Sequence, residues 1–297
     1  MELFSKYHRY RHISPVLLFC LIARCAVAVG GDSSNGTVRV AAIQCYSKMG
    51  AVSANRAMVS GLVKRAAGMG ARIVVTPECA VQGYMDPVRD IRWASGSNVV
   101  AGTRDIKDLA EPVPGPSTHW FGTLAGELKI YLCLGLAEIE DQRFYNAQVL
   151  FNPHGIMVAH HRKKLLWTPG DGSWATAGDL PVQVVETEYG RLGLMVCYEF
   201  HQLPRLLRDK RADIVLYSVG WYAPNPANWY EVIFPRDYVA PYGFDIVVAN
   251  WCDGDRDHTW PGTGYSCVIR RDGKVLNMTR QGATPAVVIA DLAVSRR

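Results

Sequence analysis

The sequence predicts an α/β fold built as a single domain, and three features of the chain support this prediction. A strand, a helix and a second strand open the chain, which is typical of parallel strands buried on both faces of a sheet. Roughly a dozen strand-like and four helix-like segments then follow along the chain. No internal repeat or low-complexity linker divides the 297 residues, and α/β domains of about 200 to 250 residues commonly fold as one unit.

The opening elements follow from hydrophobic spacing. Residues 38–45 form an apolar run that predicts the first strand. Residues 54–67 place apolar groups at helical spacing and are followed by Gly68 and Gly70, which predicts a helix that stops there. Residues 72–76 predict the second strand. The short connections between these three segments favour a βαβ unit.

The later elements are predicted in the same way. A helix at 118–128 follows a proline-rich loop, and the Pro153-His154-Gly155 turn after it indicates a meander of strands. Residues 163–180 are rich in Gly, Trp, Thr and Pro and predict an ordered loop. The other predicted strands are 130–139, 145–152, 156–161, 182–186, 192–196, 214–218, 245–250, 265–270, 274–278 and 285–290, and the other predicted helices are 202–210 and 228–239.

The composition is that of a soluble globular protein, with 49% hydrophobic and 20% charged residues. The net charge is +5, and much of it comes from basic residues among the first 28 positions. No later stretch interleaves aromatic residues with clustered Lys or Arg, so we expect no nucleic-acid partner. We expect no metal or cofactor, because the sequence lacks clustered metal-ligand motifs, a Walker loop and a dinucleotide fingerprint.

The N-terminus has the pattern of a secretory leader. Basic residues precede an apolar run at 13–23, and the small-x-small triplet Ala26-Val27-Ala28 follows it. We expect secretion rather than a membrane anchor, because the run of about 11 residues is shorter than the roughly 20 that span a bilayer. The glycosylation triplets at Asn35 and Asn277 agree with this route. The expected organisation is a signal peptide at 1–28, a flexible arm at 29–37 and one domain at 38–297.

Six cysteines lie beyond the leader, mostly in apolar strand-like runs: Cys45, Cys79, Cys133, Cys197, Cys252 and Cys267. A buried free cysteine behaves as a small hydrophobe. A chain of this length does not need the disulfide framework of small secreted domains. The sequence leaves the pairing of these cysteines open.

Three polar residues each follow an apolar strand: Glu78, Lys163 and Cys197. Because ligands bind beyond the carboxyl ends of strands in open α/β sheets, the three side chains should meet if their strands are neighbours in one sheet. Each also has a simpler interpretation. The cysteine could be a packed core residue, the glutamate a turn carboxylate, and the lysine one charge of a solvated basic run.

Longer motifs surround these three residues: Thr76-Pro77-Glu78, Arg162-Lys163-Lys164-Leu165-Leu166 and Gly193-Leu194-Met195-Val196-Cys197-Tyr198-Glu199. Tyr145-Asn146 is one of several supporting motifs. Taken together, in order and spacing, they resemble the Glu, Lys and Cys motifs of the nitrilase/amidase (carbon-nitrogen hydrolase) superfamily, and the similarity extends over about residues 38–292.

The resemblance implies a four-layer α-β-β-α sandwich, often paired with a second subunit, so we expect a homodimer or higher homo-oligomer. It implies that Cys197 is the nucleophile and Glu78 the base that takes the thiol proton and later passes it to the departing amine. Lys163 would face the developing oxyanion, helped by a backbone N–H, that of Tyr198.

The chain departs from the family at several positions. Leu165 stands where many members have histidine, and Glu199 stands where many have aspartate within an Asp-x-Arg-Phe-Pro run. Residues 167–172 resemble the aliphatic-amidase segment in which a second glutamate positions the substrate, but the acid here is the shorter Asp171. Asp171 therefore either contacts the substrate and the lysine, or only caps the turn that it forms with Gly170 and Gly172.

Five aromatic residues are candidates for the wall of a substrate pocket: Tyr84, Trp167, Tyr198, Trp221 and Tyr222. Core packing or a subunit contact would explain each of them equally well. Substrate specificity is therefore left open.

The favoured function is a thiol hydrolase that cleaves a non-peptide C–N bond of a small amide or carbamoyl compound and releases ammonia or an amine. A nitrilase acting on a nitrile is the first alternative, because Glu199 resembles the nitrilase pattern although Tyr198 replaces the usual tryptophan. An inactive secreted family member that serves as a binding module is the second.

Overall fold

The computed structural model describes residues 36–83, 106–168, 170–221, 226–252, 262–280 and 284–294. All of them belong to one structural unit, 35–297. The predicted leader and most of the predicted arm lie outside the described residues. Within the described part of the chain, no helix is both long and apolar enough to cross a membrane.

The first sheet contains the N-terminal strands and the last strand. Its members are β1 (Thr37–Gln44), β2 (Ile73–Val75), β3 (Tyr131–Glu140), β4 (Arg143–Phe151), β5 (Met157–Arg162) and β12 (Ala286–Ala293). They are arranged in the order β12-β1-β2-β3-β4-β5. The strands β1, β2 and β3 are parallel, as the opening βαβ pattern predicts. The strands β3, β4 and β5 form the predicted antiparallel meander.

The second sheet repeats this design. Its members are β6 (Val184–Thr187), β7 (Gly190–Val196), β8 (Ile214–Ser218), β9 (Asp245–Ala249), β10 (Cys267–Ile269) and β11 (Val275–Met278). They lie in the order β11-β10-β9-β8-β7-β6. The central strands β7, β8 and β9 are parallel, and antiparallel strands flank them.

Helices cover the outer face of each sheet. The helices of the described residues are α1 (Val52–Gly68), α2 (Ile106–Leu109), α3 (Pro116–Leu128), α4 (Leu203–Asp209) and α5 (Pro226–Asn228), and α5 continues as a π-helical segment, Trp229–Val239. Val63 of α1 and Phe121 of α3 pack on the first sheet. Leu207 of α4 and Phe234 of the π-helical segment pack on the second.

A third core lies between the two sheets and joins them. It includes Val40 of β1, Leu194 of β7 and Val247 of β9, all buried. Strands buried on both faces carry continuous apolar runs rather than alternating ones, which explains the runs seen in the sequence. The order of layers is helix, sheet, sheet, helix, so the predicted four-layer α-β-β-α sandwich is confirmed.

The predicted elements agree with the structure to within a few residues, with three differences. The short helix α2 was not predicted, because four residues are too few to show helical spacing. The predicted helix 228–239 is π-helical over most of its length, with Pro235 inside it. The predicted strand 265–270 contracts to Cys267–Ile269.

The strands before Glu78, Lys163 and Cys197 are not all neighbours in one sheet, so the condition set from the sequence for their convergence is not met. β2 and β5 belong to the first sheet, and β7 belongs to the second. The side chains can still converge, because β2 and β5 run in the same direction within their sheet. The ends of β2 and β8 also meet across the sandwich, where the Ser218 hydroxyl donates to the Thr76 carbonyl (2.7 Å).

Candidate active site

Glu78 follows β2 and is fully buried. Its Oε1 accepts hydrogen bonds from Lys163 Nζ (2.9 Å) and Asn146 Nδ2 (2.5 Å), and its Oε2 accepts one from the Gly220 N–H (2.7 Å). The indole N–H of Trp251 donates to the backbone carbonyl of Glu78 (2.7 Å). A buried carboxylate needs such donors, because burial without them is costly. These contacts fix the carboxylate in one orientation.

Lys163 follows the edge strand β5 and is also fully buried. Its Nζ lies 2.9 Å from Glu78 Oε1 and 2.8 Å from Asp171 Oδ2. Its backbone is held on both sides, by Asn146 O (2.8 Å) and the Gly178 N–H (2.8 Å). The alternative that Lys163 is one charge of a solvated run is wrong.

Asp171 lies in the predicted ordered loop, where a short 3₁₀ turn spans Asp171–Ser173. Besides the ion pair of its Oδ2 with Lys163, its Oδ1 accepts the Trp167 N–H (3.0 Å). The side chain is fully buried. Asp171 therefore shapes its loop and also contacts the lysine, so the alternative of a turn cap alone is wrong.

Cys197 begins the 3₁₀ turn Cys197–His201 directly after β7. Its φ is +41°, a left-handed conformation that a non-glycine residue adopts only when its surroundings hold it there. The Tyr217 hydroxyl donates to the Cys197 carbonyl (2.7 Å), and the Gly220 N–H interacts with the thiol. The residue is 8% exposed and borders a cavity.

Burial and the charges of this cluster shift the pKa values of its three titratable groups. Burial raises the pKa of Glu78, the Lys163 charge opposes that rise, and Asp171 adds to it. Burial and the Glu78 charge raise the pKa of the Cys197 thiol, and Lys163 opposes them. Burial alone would lower the pKa of Lys163, but Asp171 and Glu78 together raise it, so the lysine stays charged.

A cavity of about 120 Å³ opens beside Cys197. Among the described residues its walls are Trp167, Cys197, Tyr198, Gly220 and Trp221. Three of the five aromatic residues proposed from the sequence thus line one space with the thiol. The other two, Tyr84 and Tyr222, lie outside the described residues.

Two residues of the cluster were not assigned a role from the sequence. Asn146 lies on β4 and donates to Glu78, while its Oδ1 accepts the Cys79 thiol (3.6 Å). Gly220 follows β8 and contributes only a backbone N–H. The Tyr145-Asn146 dipeptide is a recognisable motif that could have pointed to Asn146. Gly220 gives no such signal, because its contribution is a backbone N–H and does not depend on residue type.

The six cysteines beyond the leader are all buried, as their apolar surroundings predict, and none of them forms a disulfide, a point that the sequence left open. In the described part of the chain, no three His, Cys, Asp or Glu side chains are grouped as a metal site requires. His160 and His161 point to opposite faces of β5, as expected of adjacent strand residues, and bond to Glu138 and Glu199 respectively.

This arrangement is chemically suited to nucleophilic attack by sulfur. A carboxylate with a raised pKa lies near a thiol that must lose its proton to react. The ammonium group has three N–H bonds, so it can hold both carboxylates and still donate to an oxygen on a bound molecule. The cavity gives a small molecule access to the sulfur.

Comparison with known proteins agrees with the geometry. The sequence profile of the carbon-nitrogen hydrolase family matches residues 39–297. The omega-amidase NIT2 of Danio rerio is 29% identical over 266 residues, which cover 86% of this chain and 87% of that protein. The bifunctional nitrilase/nitrile hydratase NIT4 of Oryza sativa is 29% identical over 202 residues, 63% of this chain and about half (53%) of the rice protein.

Solved structures share the fold. An amidase of the nitrilase superfamily from Nesterenkonia sp. AN1 superposes with a TM-score of 0.71 at 20% identity, covering 87% of this chain and 92% of that chain. The same amidase with acrylamide bound gives a TM-score of 0.70, covering 86% and 91% of the two chains at the same identity. The two sheets and their helical layers are therefore those of a known architecture.

Proposed function

Because the chain belongs to the carbon-nitrogen hydrolase family, we propose that it cleaves a non-peptide C–N bond of a small amide or carbamoyl compound through a thioester on Cys197. The observation that carries the proposal is the buried cluster of Glu78, Lys163 and Asp171 beside a strained cysteine that borders a small cavity. Aromatic walls around a thiol suit a small organic substrate.

The reaction starts with proton transfer. Glu78 takes the proton of the Cys197 thiol, and the thiolate attacks the carbonyl carbon of the substrate. Negative charge then develops on the carbonyl oxygen, where the Lys163 ammonium and a backbone N–H stabilise it. Protonated Glu78 passes its proton to the nitrogen as the C–N bond breaks, so ammonia or an amine leaves and the acyl group stays on sulfur.

The second half of the reaction uses the same groups. Glu78, again a carboxylate, takes a proton from water, and the hydroxide oxygen attacks the thioester carbon. The C–S bond breaks, sulfur recovers the proton through Glu78, and a carboxylic acid is released. Asp171 contributes by holding Lys163 in place, since its carboxylate shares the ammonium with Glu78.

Amide hydrolysis is favoured by the named relatives, which include omega-amidases, and by the acrylamide complex of the Nesterenkonia amidase. A nitrile is the second candidate substrate, since the rice relative is a nitrilase/nitrile hydratase and Glu199 follows the cysteine at the nitrilase spacing. A panel that contains both substrate types distinguishes the two.

The test measures ammonia release from amides, carbamoyl amino acids and nitriles. We expect Cys197→Ala, Glu78→Gln and Lys163→Met each to remove nearly all turnover while keeping the fold, because groups that act as a unit have non-additive effects. Cys267→Ala is the matched control, since it removes another buried free thiol that lies in β10. Full activity in any of the three site variants contradicts the proposed roles.

Mass spectrometry of the protein mixed rapidly with substrate adds a direct reading of the intermediate. An acyl group is expected on Cys197. An acyl group on Cys79 or Cys45 instead means that a different cysteine is the nucleophile.

A further inference from the structure

One buried, hydrogen-bonded pair of side chains connects the lysine strand to the cysteine turn and takes no part in the proposed reaction. His161 lies on β5, two residues before Lys163, and Glu199 lies two residues after Cys197. Their Nε2 and Oε2 atoms are 2.8 Å apart, and both side chains are at most 1% exposed. Burying polar side chains away from water costs free energy, so the further contacts of this pair should show what compensates for that cost.

The Glu199 carboxylate binds backbone on both sides of the site. Its Oε2 also accepts the N–H of Val196 (2.9 Å), the residue before Cys197. Its Oε1 accepts the N–H of Lys164 (2.6 Å), the residue after Lys163. One carboxylate therefore holds the two chain segments that carry the nucleophile and the ammonium group, although these segments belong to different sheets.

The cysteine turn is a place where such a support matters. The +41° φ of Cys197 is held from one side by the Tyr217 hydroxyl on its carbonyl and from the other by Glu199 on the preceding N–H. His161 fixes the carboxylate itself. Without that donor, Glu199 keeps two backbone partners but loses the side chain that sets its orientation.

We propose that His161 and Glu199 are positioning residues that set the distance between the Lys163 ammonium and the Cys197 sulfur. The proposal rests on the proposed function for the identity of the reacting groups. It implies that loss of the pair slows the chemical step and leaves substrate binding largely intact. A displacement of about 1 Å between reacting groups can lower a rate on the order of 10²-fold.

The same strand supplies a matched control. His160, the neighbour of His161, points to the opposite face of β5 and bonds to the buried Glu138 at 2.7 Å. The other side-chain partner of that carboxylate is Arg162, not the backbone of the cysteine turn. His160→Leu and His161→Leu therefore each break a bond between a histidine and a buried carboxylate, but only the second bond reaches the site.

The experiment compares wild type, His161→Leu, His160→Leu and His161→Gln on the best amide of the panel, with melting temperature measured alongside. We expect His161→Leu to lower kcat by about 10- to 100-fold with KM within about threefold. We expect His160→Leu to lower the melting temperature by a similar amount but to keep kcat within about threefold of the wild-type value. His161→Gln, which keeps a donor for Glu199, should recover most of kcat.

Alkylation of Cys197 by iodoacetamide gives a second readout that does not need turnover. Because Lys163 favours the thiolate, a displaced lysine should move the alkylation profile of His161→Leu to higher pH, whereas His160→Leu should follow wild type. If wild type hydrolyses nothing, the proposed function fails, and the alkylation profiles still test the pair.

Equal losses of kcat in the two leucine variants, or a His161→Leu profile identical to wild type, would overturn the proposal. Should His161→Leu not fold, Glu199→Gln replaces it. This variant keeps the volume but turns an NH₂ group toward backbone donors, and the same loss of kcat at unchanged KM is expected. An active Glu199→Gln enzyme with wild-type kcat also overturns the proposal.

Discussion

Asp171 makes the chemical role of a single side chain testable. Its two carboxylate oxygens have separate partners, the Trp167 N–H in the loop and the Lys163 ammonium in the site. An asparagine preserves the loop contact, because its Oδ1 accepts the same N–H, but it carries no charge for the lysine. The two functions can therefore be separated by one substitution.

We predict that Asp171→Asn lowers kcat by about 10²-fold and changes the melting temperature little, because it disturbs the position of Lys163 more than the loop. Asp171→Glu should not restore full activity, since the extra methylene moves the carboxylate. Ser173→Ala is the control, because it removes only a bond within the same turn, from Ser173 Oγ to Gly170 O (2.6 Å). Steady-state kinetics and thermal melts check this, and near-normal rates in Asp171→Asn would rule it out.

The pKa of Glu78 gives a second prediction for a single residue. The base must be ionised to take the thiol proton, and burial raises its pKa. The acid limb of kcat/KM should therefore lie above the ordinary glutamate pKa of about 4.3, as a macroscopic value of the coupled site. Asn146 donates to the ionised form and lowers that pKa, so Asn146→Ala should move the limb to higher pH.

A pH–rate profile measures this shift. Asn152→Ala is the matched control, because Asn152 follows the same strand but caps the β4–β5 turn through the N–H groups of His154 and Ile156. Its limb should coincide with that of wild type. A limb that moves to lower pH in Asn146→Ala contradicts the assignment of Glu78 as the base.

For single residues, the sequence could predict which reactive side chains form the candidate site, but not which backbone groups donate hydrogen bonds to them. Glu78, Lys163 and Cys197 each end an apolar strand, which is a visible pattern. The Gly220 N–H that contacts both Glu78 and the cysteine has no such pattern, because any residue offers an N–H. Whether the three side chains perform catalysis stays a prediction until the variants are measured.

At the scale of the elements, Gly135 shows how one strand makes room for another. It lies in β3, and a Cβ at this position would come 2.2 Å from the Pro77 carbonyl oxygen and 3.0 Å from Glu78 Cα. The backbone that carries Glu78 therefore passes directly over β3. A methyl group there cannot be accommodated unless that backbone moves.

We predict that Gly135→Ala lowers both the free energy of unfolding and kcat, the latter by at least about tenfold, because it displaces the base. Gly61→Ala is the control within α1, where nothing lies within 4 Å of the added Cβ. It should stabilise the protein by about 0.5–1 kcal/mol without changing kcat. Urea unfolding and kinetics of both variants check this, and a fully active Gly135→Ala protein would refute the close approach.

The elements were predictable where hydrophobic spacing was long and regular. The helix expected at 54–67 is found as Val52–Gly68, and the strand expected at 214–218 is found as Ile214–Ser218. The π-helical segment Trp229–Val239 was predicted only as a helix. The spacing of its apolar and aromatic residues is also compatible with an α-helix, so the sequence could not distinguish the two.

For the whole molecule, the candidate active site depends on the packing of two sheets. The sequence pattern indicated that the three side chains could meet if their strands shared a sheet, but it could not show which strands do so, because pairing partners lie far apart in the chain. The four-layer arrangement came from the family resemblance. The leader at 1–28, secretion and a homo-oligomer remain predictions. The packing of the two sheets does not depend on them.

A polar contact joins the sheets at the end where the site lies. The Ser218 hydroxyl donates to the Thr76 carbonyl (2.7 Å) and accepts a bond from Gln148 Nε2 (2.8 Å). Thr76 lies two residues before Glu78, and Ser218 lies two residues before Gly220. The bond therefore ties the segment that carries Glu78 to the strand that leads to its backbone donor, Gly220.

We predict that Ser218→Ala costs about 1–3 kcal/mol of stability and lowers kcat by roughly tenfold, because two buried polar groups lose a partner and the ends of β2 and β8 can separate. Leu192→Ala is the control. Leu192 is buried in the core between the sheets, five residues before Cys197 on β7 and thus about 16 Å from it along the strand. Leu192→Ala should cost more stability, about 2–5 kcal/mol, and still retain kcat at temperatures where the protein stays folded. Chemical unfolding and kinetics at 15 °C distinguish the two. If activity follows stability alone, the less stable Leu192→Ala protein will also be the slower enzyme, and the contact at Ser218 then has no special part in assembling the site.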